Sequence, residues 1–476
     1  MNTTLTYYMY TCVIIAVNLP ILEMSYCENE LSDSSRICKT RSEMLNDESD
    51  RYSDEKGDLN YESSSENARR IFLRREKNHD LDEQLIHFLK IKEKQPPNWH
   101  SVQEVINRQI GSNPLFHRRF YGSLLAVERL SFSHKFTAVK GHEVTTLNFN
   151  QEGNLLANAC ADTSEIFIWD WAVSKKRCFT SGHTNTIWDV KWLPLNTERL
   201  VTCASDGVRL LNLNSNISEI LAVYDGYRPR KLAVHPEMPN TVFSAGQKGK
   251  IVSIDVREKE RIELLTVYRE GTESKIDLFN IHFNPLDSNE FCVSGYCQYV
   301  RVYDRRQVQQ PLCTLCPDHL RNQYKHHVLY CVYNHDGTEI VASYGPYEDV
   351  YLFDKKKIFI NESTVMIDRR YVRKLQDARI SMEAKEAIFF GPKSEYVISG
   401  ACCGYLFIWD KNTKTLVQQL KNNYKDIFYL KAHPFFPILA TQMNDDIGIW
   451  MPCQKNFRIR NHSLLHQVEN ENGKNS

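Results

Sequence analysis

The chain has 476 residues, and its 59 Lys and Arg residues equal its 59 Asp and Glu residues. This balance leaves no global basic field, so neither direct nucleic-acid binding nor membrane binding is expected. The 14 cysteines are few for a chain of this length, and many stand inside apolar stretches, which indicates a reducing compartment and argues against a disulfide scaffold.

An apolar run, YYMYTCVIIAVNLPIL, occupies residues 7–22. It resembles the core of a secretory signal, but no basic residue precedes it, and Asn18 and Pro20 interrupt it short of a bilayer span. We therefore expect a nuclear and cytoplasmic protein, with the secretory route as the alternative. The pattern leaves open whether residues 1–23 are translated and retained in the protein or act as a signal.

The next segment, residues 25–70, is acidic, rich in serine and poor in apolar residues. Such a composition cannot bury enough apolar surface to offset the entropy cost of ordering the chain. The sequence therefore predicts a disordered tail over residues 1–79, with the apolar run at its N-terminal end.

Residues 80–126 are predicted to form a helical lead-in. Asp80 with Glu83 resembles a capping box, and Ser101 with Glu104 forms a full one, with QPPNW breaking the chain between them. The second helix carries apolar residues at a spacing that suits docking to a partner, and packing against the edge of the β domain's core is the alternative. These candidate docking residues are Trp99, Val102, Ile106 and Ile110.

From residue 127 to residue 453 the sequence consists of recurring units. Seven segments each contain three or four short apolar stretches separated by turn residues, and a polar tail follows at residues 454–476. A unit of this size cannot bury both of its faces alone, so the units must stack on one another. The period of about 40 to 50 residues predicts an all-β domain of seven repeats.

The repeats resemble those of the WD-repeat β-propeller. The first contains Gly141-His142, a turn with Asp162 and the pair Trp169-Asp170, and the second keeps His183 and Asp206. The resemblance implies a seven-bladed propeller in which the histidine hydrogen-bonds the turn aspartate, so His142 with Asp162 and His183 with Asp206 are the candidate pairs. A catalytic His/Asp pair is the alternative, and recurrence in the repeat argues against it.

Closure of the propeller needs an outer strand for the last blade. The segment VERLSFSHKF, residues 127–136, stands directly before the first repeat and can supply this strand. A propeller closed in this way has no exposed sheet edge at that blade.

Motifs of catalysis and cofactor binding were not found, so neither enzymatic activity nor a cofactor or small-molecule substrate is expected. One segment, CTLCPDHLRNQYKHH, could in principle hold zinc through Cys313, Cys316, His319 and either His326 or His327. Its spacing matches no zinc pattern, and we predict no metal site.

Two strand exits carry the arrangement Asp-x-Arg: Asp255 with Arg257, and Asp304 with Arg306. These aspartates stand where Asp170 does in the first repeat. The arginines therefore leave the third and fourth blades at equivalent places and point to one rim. A guanidinium there suits the carboxylates and carbonyls of a protein partner, and an intramolecular salt bridge is the alternative.

The Asp-x-Arg arrangement also resembles the Asp-x-Arg box by which substrate receptors of cullin-4 RING ubiquitin ligases bind their adaptor, DDB1. Residues 99–453 as a whole are similar to the DDB1- and cullin-4-associated factor 8 family. The similar segments are LNFNQEGNLLANACADTSEIFIWDW, FSAGQKGKIVSIDVR, VRVYDRR, HDGTEIVASYGPYEDVYLF, FGPKSEYVISG, HPFFPILAT and VERLSFSH.

This resemblance implies a non-catalytic substrate receptor that binds DDB1 and presents a protein substrate, whose identity the sequence does not give. The residues implied to bind the adaptor are Asp255, Arg257, Asp304, Arg306 and the helix with Trp99, Val102, Ile106 and Ile110. The alternative is a general interaction scaffold, or a histone or chromatin reader, without a ligase role. The sequence departs from the repeat pattern most around the sixth unit, where ACCGY stands in place of a turn aspartate.

Overall fold

The computed structural model describes residues 106, 116–223, 226–321, 323–345, 348, 350–355, 386–401, 404–421 and 427–453. The predicted tail at residues 1–79, most of the predicted helical lead-in before residue 116 and the tail at residues 454–476 lie outside the described residues. Two short helices come first, α1 (Phe116–Tyr121) and α2 (Leu124–Glu128). No helix in the described part is long and apolar enough to cross a membrane.

The described residues form seven antiparallel sheets, which we call blades 1 to 7. Blade 1 contains β2 (Val144–Phe149), β3 (Leu155–Cys160), β4 (Glu165–Asp170) and β5 (Lys175–Thr180). Blade 2 contains β6 (Ile187–Trp192), β7 (Arg199–Ala204), β8 (Gly207–Asn212) and β9 (Ile217–Ala222). Blade 3 contains β10 (Pro229–His235), β11 (Met238–Gly246), β12 (Lys250–Asp255) and β13 (Arg261–Thr266), with a single 3-10 turn at Gln247–Gly249.

Blade 4 contains β14 (Leu278–Asn284), β15 (Asp287–Gly295), β16 (Val300–Asp304) and β17 (Cys313–Leu315), and a second 3-10 turn follows at Asp318–Leu320. Blade 5 has three strands within the described residues, β18 (His327–Tyr333), β19 (Glu339–Gly345) and β20 (Val350–Asp354). Blade 6 contains β21 (Ala387–Phe390), β22 (Tyr396–Gly400), β23 (Tyr405–Asp410) and β24 (Leu416–Lys421). Blade 7 contains β25 (Leu430–Ala432), β26 (Leu439–Met443), β27 (Asp446–Pro452) and β1 (Leu130–Thr137).

Tight turns between the strands follow from local sequence. In blade 2 only Ser205 and Asp206 separate β7 from β8, and Gly207 has a φ of 142°. A Cβ at Gly207 would lie 2.2 Å from the carbonyl oxygen of Ala222, so only glycine fits this turn.

The blades form a closed ring, because the first strand of each blade packs against the first strand of the next and β25 packs against β2. The hydrophobic core lies between the blades. One apolar cluster joins blades 1 and 2, for example, and another joins blades 4 and 5. Seven sheets arranged in this way are a seven-bladed β-propeller, as the sequence predicts.

Strand β1 closes the ring, as predicted from its place before the first repeat. It pairs antiparallel with β27, from Leu130 opposite Pro452 to Thr137 opposite Asp446. Phe136 of this strand stacks on Trp169 of blade 1, with ring centroids 4.8 Å apart. The outer edge of β27 is therefore paired by a strand from the N-terminal side of the repeats.

The alternation of strand directions gives the propeller two rims. At the rim that we call the exit rim, the first and third strands of each blade end. At the opposite rim the same strands begin. Strands of about six residues place the two rims on the order of 20 Å apart.

Candidate functional site: the arginine pair of the exit rim

The Asp-x-Arg boxes occupy equivalent positions in two neighbouring blades. Asp255 is the last residue of β12 and pairs with Thr241, and Asp304 is the last residue of β16 and pairs with Glu290. Both third strands therefore end at the exit rim, and both boxes enter the turn to the outer strand.

The aspartates have a local structural role. The Oδ1 atom of Asp255 accepts hydrogen bonds from the backbone N–H groups of Arg257 at 2.8 Å and Glu258 at 3.3 Å. Oδ1 of Asp304 likewise accepts from the N–H of Arg306 at 2.9 Å. Side-chain acceptance of this kind fixes the turn that follows the strand.

Other blades build the same turn without arginine. Asn212 in blade 2 and Asp410 in blade 6 accept equivalent backbone hydrogen bonds at 3.0 and 2.9 Å. The residues two places on are there Asn214 and Asn412. Turn formation thus accounts for the aspartates in the boxes and does not account for the arginines.

Each arginine forms an ion pair with the aspartate of its own box. Nη2 of Arg257 lies 3.3 Å from Oδ2 of Asp255, and Nη2 of Arg306 lies 2.7 Å from Oδ2 of Asp304. The intramolecular salt bridge that the sequence left open is therefore present. The two arginine side chains are nevertheless 64% and 66% exposed, so their guanidinium groups remain accessible to a partner.

These contacts change the acidity of both carboxyl groups. Hydrogen bonds from the Arg306 side chain and backbone lower the pKa of Asp304 to about 2. For Asp255, slight burial raises the pKa, but the hydrogen bonds from Arg257 outweigh it and the pKa lies below its usual value. Both boxes therefore carry a charged pair at neutral pH.

Large apolar side chains lie exposed in turns of the same rim. Val173 follows β4 in blade 1, Leu195 follows β6 in blade 2, and Leu286 follows β14 in blade 4, with exposures of 64%, 82% and 67%. A rim that presents both exposed arginines and exposed leucines has a composition typical of protein interfaces. Sequence reasoning missed these residues, although a leucine directly after proline in WLPLN and FNPLD was a usable signal.

The predicted docking helix is almost entirely outside the described residues. Ile106 is helical, and 44% of its side chain is exposed. Trp99, Val102 and Ile110 are not among the described residues, so their role stays a prediction.

The predicted pairing of His183 with Asp206 is present. Nδ1 of His183 lies 2.6 Å from Oδ1 of Asp206, and Nε2 lies 2.9 Å from the hydroxyl of Thr202. These three hydrogen-bonded residues join the start of blade 2 to its second strand and to the Ser205-Asp206 turn.

The predicted pairing of His142 with Asp162 is wrong. Nδ1 of His142 instead lies 3.0 Å from the backbone carbonyl oxygen of Ala161. Four residues separate β3 from β4, against two between the corresponding strands of blade 2, and this longer turn leaves Asp162 exposed with a φ of 57°. Trp169 is buried, as expected for a repeat residue, and its Nε1 donates to Oδ1 of Asn158 at 2.8 Å.

The segment weighed as a zinc site is not assembled as one. Cys313 lies in β17, Cys316 points its thiol at the Pro317 carbonyl, and Nε2 of His319 lies 3.2 Å from the hydroxyl of Tyr351. Among the described residues, no three His, Cys, Asp or Glu side chains come together as metal ligands.

A charged network that sequence reasoning missed crosses the propeller axis. Nζ of Lys231 in blade 3 lies 3.9 Å from Oδ1 of Asp189 in blade 2 and 3.7 Å from Oε1 of Glu386 at the start of blade 6. Glu386 also contacts Nζ of Lys431 in blade 7 at 3.3 Å, and Lys191 lies 3.7 Å from Asp189. Blades that are not neighbours in the ring are therefore linked through its centre.

In this network, burial and the neighbouring opposite charges shift the pKa values in opposite directions. Burial raises the pKa of Asp189, yet Lys191 and Lys231 outweigh it and hold that pKa below its usual value. Burial lowers the pKa of Lys191, and Asp189 offsets this in part. The network contains three lysines, Lys191, Lys231 and Lys431, and two carboxylates, Asp189 and Glu386.

Comparison with known protein families finds one repeat. The model of the WD domain, G-beta repeat, matches residues 132–170, which include most of β1 and blade 1 as far as β4. The β-propeller domain of Cps50 (Swd1) from Myceliophteria thermophila has a similar structure. It aligns with a TM-score of 0.55 over 68% of this chain and 99% of that domain, at 16% identity, a likeness that shows the fold alone.

Curated relatives are similar over parts of their length. The human WD and tetratricopeptide repeats protein 1 is 29% identical over 297 residues, which cover 53% of this chain and 43% of that protein. Protein ALTERED SEED GERMINATION 2 of Arabidopsis thaliana is 28% identical over 284 residues, which cover 50% of this chain and 37% of that protein. Human DDB1- and CUL4-associated factor 6 is 40% identical over 89 residues, which cover 18% of this chain and 10% of that protein. The chain thus spans less than half the length of these relatives.

Proposed function

We propose that this chain, a WD-repeat β-propeller protein, is a non-catalytic substrate receptor of a cullin-4 RING ubiquitin ligase. The exit rim of blades 3 and 4 binds the DDB1 adaptor, and another surface presents a protein substrate. The proposal places the protein in the nucleus and cytoplasm, and in the family of DDB1- and CUL4-associated factor 8.

One observation carries the proposal. Two neighbouring blades present an exposed arginine at equivalent turn positions, where other blades build the same turn with asparagine. A planar guanidinium held by its own aspartate is already oriented, so little side-chain entropy is lost when it binds a carbonyl or carboxylate. The partial similarity to a protein named as a DDB1- and CUL4-associated factor supports the identity of the partner.

The first test is affinity capture of DDB1 from cell extract. Wild-type protein is expected to capture the adaptor, and the Arg257→Lys/Arg306→Lys variant is expected to capture less, because lysine keeps the charge and loses the planar fork. Equal capture by both proteins would contradict a role for the guanidinium groups. Failure of the wild type to capture DDB1 would contradict the proposed function itself.

The second candidate is a protein-interaction scaffold or chromatin reader without a ligase role. The ion pair within each box favours it, because an arginine bound to its own aspartate can stiffen the turn without contacting any partner. A scaffold of this kind would keep its partners after both arginines are replaced by alanine.

A further inference from the structure

A shift in strand pairing recurs around the opening of the propeller axis at the opposite rim, which we call the mouth. In blades 1 to 5 the pairing of the first strand with the second skips one residue at the same place. The skipped residues are Thr145, Trp188, Arg230, Phe279 and Leu329. Each is a β-bulge, a device that redirects a side chain out of the regular pleat.

The bulged residues lie directly above the charged network of the axis. The residue after each bulge pairs normally again, and in blades 2 and 3 that residue is Asp189 and Lys231. Because the first strands form the innermost ring of the propeller, their bulges surround the opening of the axis at the opposite rim.

Four of these side chains are large: Trp188 and Phe279 are aromatic, Leu329 is aliphatic and Arg230 is cationic. Trp188 is 40% exposed, and the guanidinium carbon of Arg230 lies 5.4 Å from the ring centroid of Phe279. Two further rings extend the surface. Tyr296, which is 52% exposed, stacks on His327 at 5.1 Å, and Phe279 meets both rings edge to face at 6.4 and 5.8 Å.

Arg230 differs from the exit-rim arginines in its charge environment. Among the residues that the structure describes, it makes a contact with the Phe279 ring and no salt bridge. Lysines outnumber carboxylates three to two in the axial network next to it, so the basic groups of both layers favour an acidic partner.

We propose that this mouth binds an extended acidic peptide segment in which carboxylates alternate with apolar or aromatic side chains. Arg230 pairs with a carboxylate of the peptide, and Trp188, Phe279 and Tyr296 contact its apolar side chains. Tryptophan, tyrosine and arginine are the residue types that dominate binding energy at protein interfaces. As a statement about substrates the inference rests on the proposed receptor function. The peptide-binding surface itself is independent of it.

The test selects peptides and then measures their affinity. A phage-displayed random 12-residue library is panned on the full chain, and the most enriched peptide is synthesised with a fluorescein label for anisotropy titration. The enriched peptides are expected to share acidic and apolar positions. Arg230→Ala and Trp188→Ala are each expected to weaken binding at least about tenfold, and a peptide with its acidic residues changed to lysine is expected not to bind.

The exit-rim variant Arg257→Ala/Arg306→Ala is the matched control, because it removes two exposed arginines at the other rim. It is expected to bind the peptide as the wild type does, even if it loses DDB1. Both mouth variants are expected to unfold cooperatively within about 3 °C of the wild type and to keep DDB1, which separates failure of this inference from failure of the proposed function.

Four outcomes would overturn the inference. They are a library without enrichment, a consensus without acidic residues, unchanged affinity of both mouth variants, and competition by a single-stranded 12-nucleotide DNA at the same affinity. The last would identify the mouth as a nucleic-acid site.

Discussion

His433 shows how one buried side chain joins the two ends of the ring. Its Nε2 lies 2.9 Å from the carbonyl oxygen of Gly153 in blade 1, and its Nδ1 accepts from the backbone N–H groups of Phe435 and Phe436 at 3.0 and 3.1 Å. Only a neutral ring can donate at one nitrogen and accept at the other. Burial accordingly lowers the pKa of His433 to about 4.

This residue predicts a pH dependence of stability. The unfolded histidine has a pKa of about 6.5, so between that value and about 4 the unfolded state binds more protons and stability falls as the pH falls. Between pH 7 and pH 5, this one residue is expected to lower the free energy of unfolding by about 2 kcal/mol. Urea unfolding at both pH values measures it. A His433→Gln variant should show a shallower decline, and an unchanged decline would contradict the assignment.

The closing strand shows how far one element could be predicted. Its position before the repeats sufficed to predict that β1 pairs in blade 7, because a ring of repeats needs a strand from outside the last unit. Its register could not be predicted, since a bulge between Phe132 and His134 shifts the pairing. The same limit applies to the bulges of blades 1 to 5, which depend on pairing between strands and leave no sequence signature.

Two phenylalanines of this strand give a matched pair. Phe136 is 5% exposed and stacks on Trp169, whereas Phe132 is 42% exposed. We expect Phe136→Ala to lower the free energy of unfolding by about 3 kcal/mol because it leaves a cavity, and Phe132→Ala by about 1 kcal/mol. Urea unfolding of both variants at pH 7 measures this. Equal losses would contradict closure of the core by this strand.

Turn length is the element-scale reason for the error at His142. The sequence shows a histidine and a turn aspartate in blades 1 and 2 alike, but the hydrogen bond depends on where the turn places the carboxylate. The two-residue turn of blade 2 brings Asp206 to His183, and the four-residue turn of blade 1 does not bring Asp162 to His142.

Across the whole molecule, repetition made the architecture predictable and left the centre of the ring unpredicted. Seven units with their turns indicate seven blades, whereas contacts across the axis join residues from blades that are not adjacent. Lys231 and Glu386 are 155 positions apart in the sequence, taking 386 minus 231, and nothing in either repeat indicates their contact. The paired arginines were found because they stand at one position of two neighbouring repeats.

The contact between Lys231 and Glu386 predicts coupling across the axis. Lys231 is the cation shared by the two buried carboxylates Asp189 and Glu386, so Lys231→Met alone is expected to cost about 3 kcal/mol. With Glu386→Gln as the second change, a double-mutant cycle is expected to give a coupling energy of at least about 1 kcal/mol.

The exposed pair of Lys250 and Glu263, at 2.7 Å, is the matched control for this cycle. The cycle of Lys250→Met with Glu263→Gln is expected to give at most about 0.5 kcal/mol, because solvent screens the pair. Equal coupling in the two cycles, measured by urea unfolding, would contradict the role of the axial network.

The most direct test of the proposed function is the affinity of purified DDB1 for four proteins, measured by biolayer interferometry. They are the wild type, the Arg257→Ala/Arg306→Ala variant, the Asn214→Ala/Asn412→Ala variant at equivalent turns of blades 2 and 6, and the Arg230→Ala variant at the opposite rim. We predict that the arginine pair variant binds at least about tenfold more weakly, with an unchanged melting temperature, and that the other two bind as the wild type does. The proposed function would be contradicted if the arginine pair variant bound DDB1 with wild-type affinity, or if the wild type did not bind DDB1.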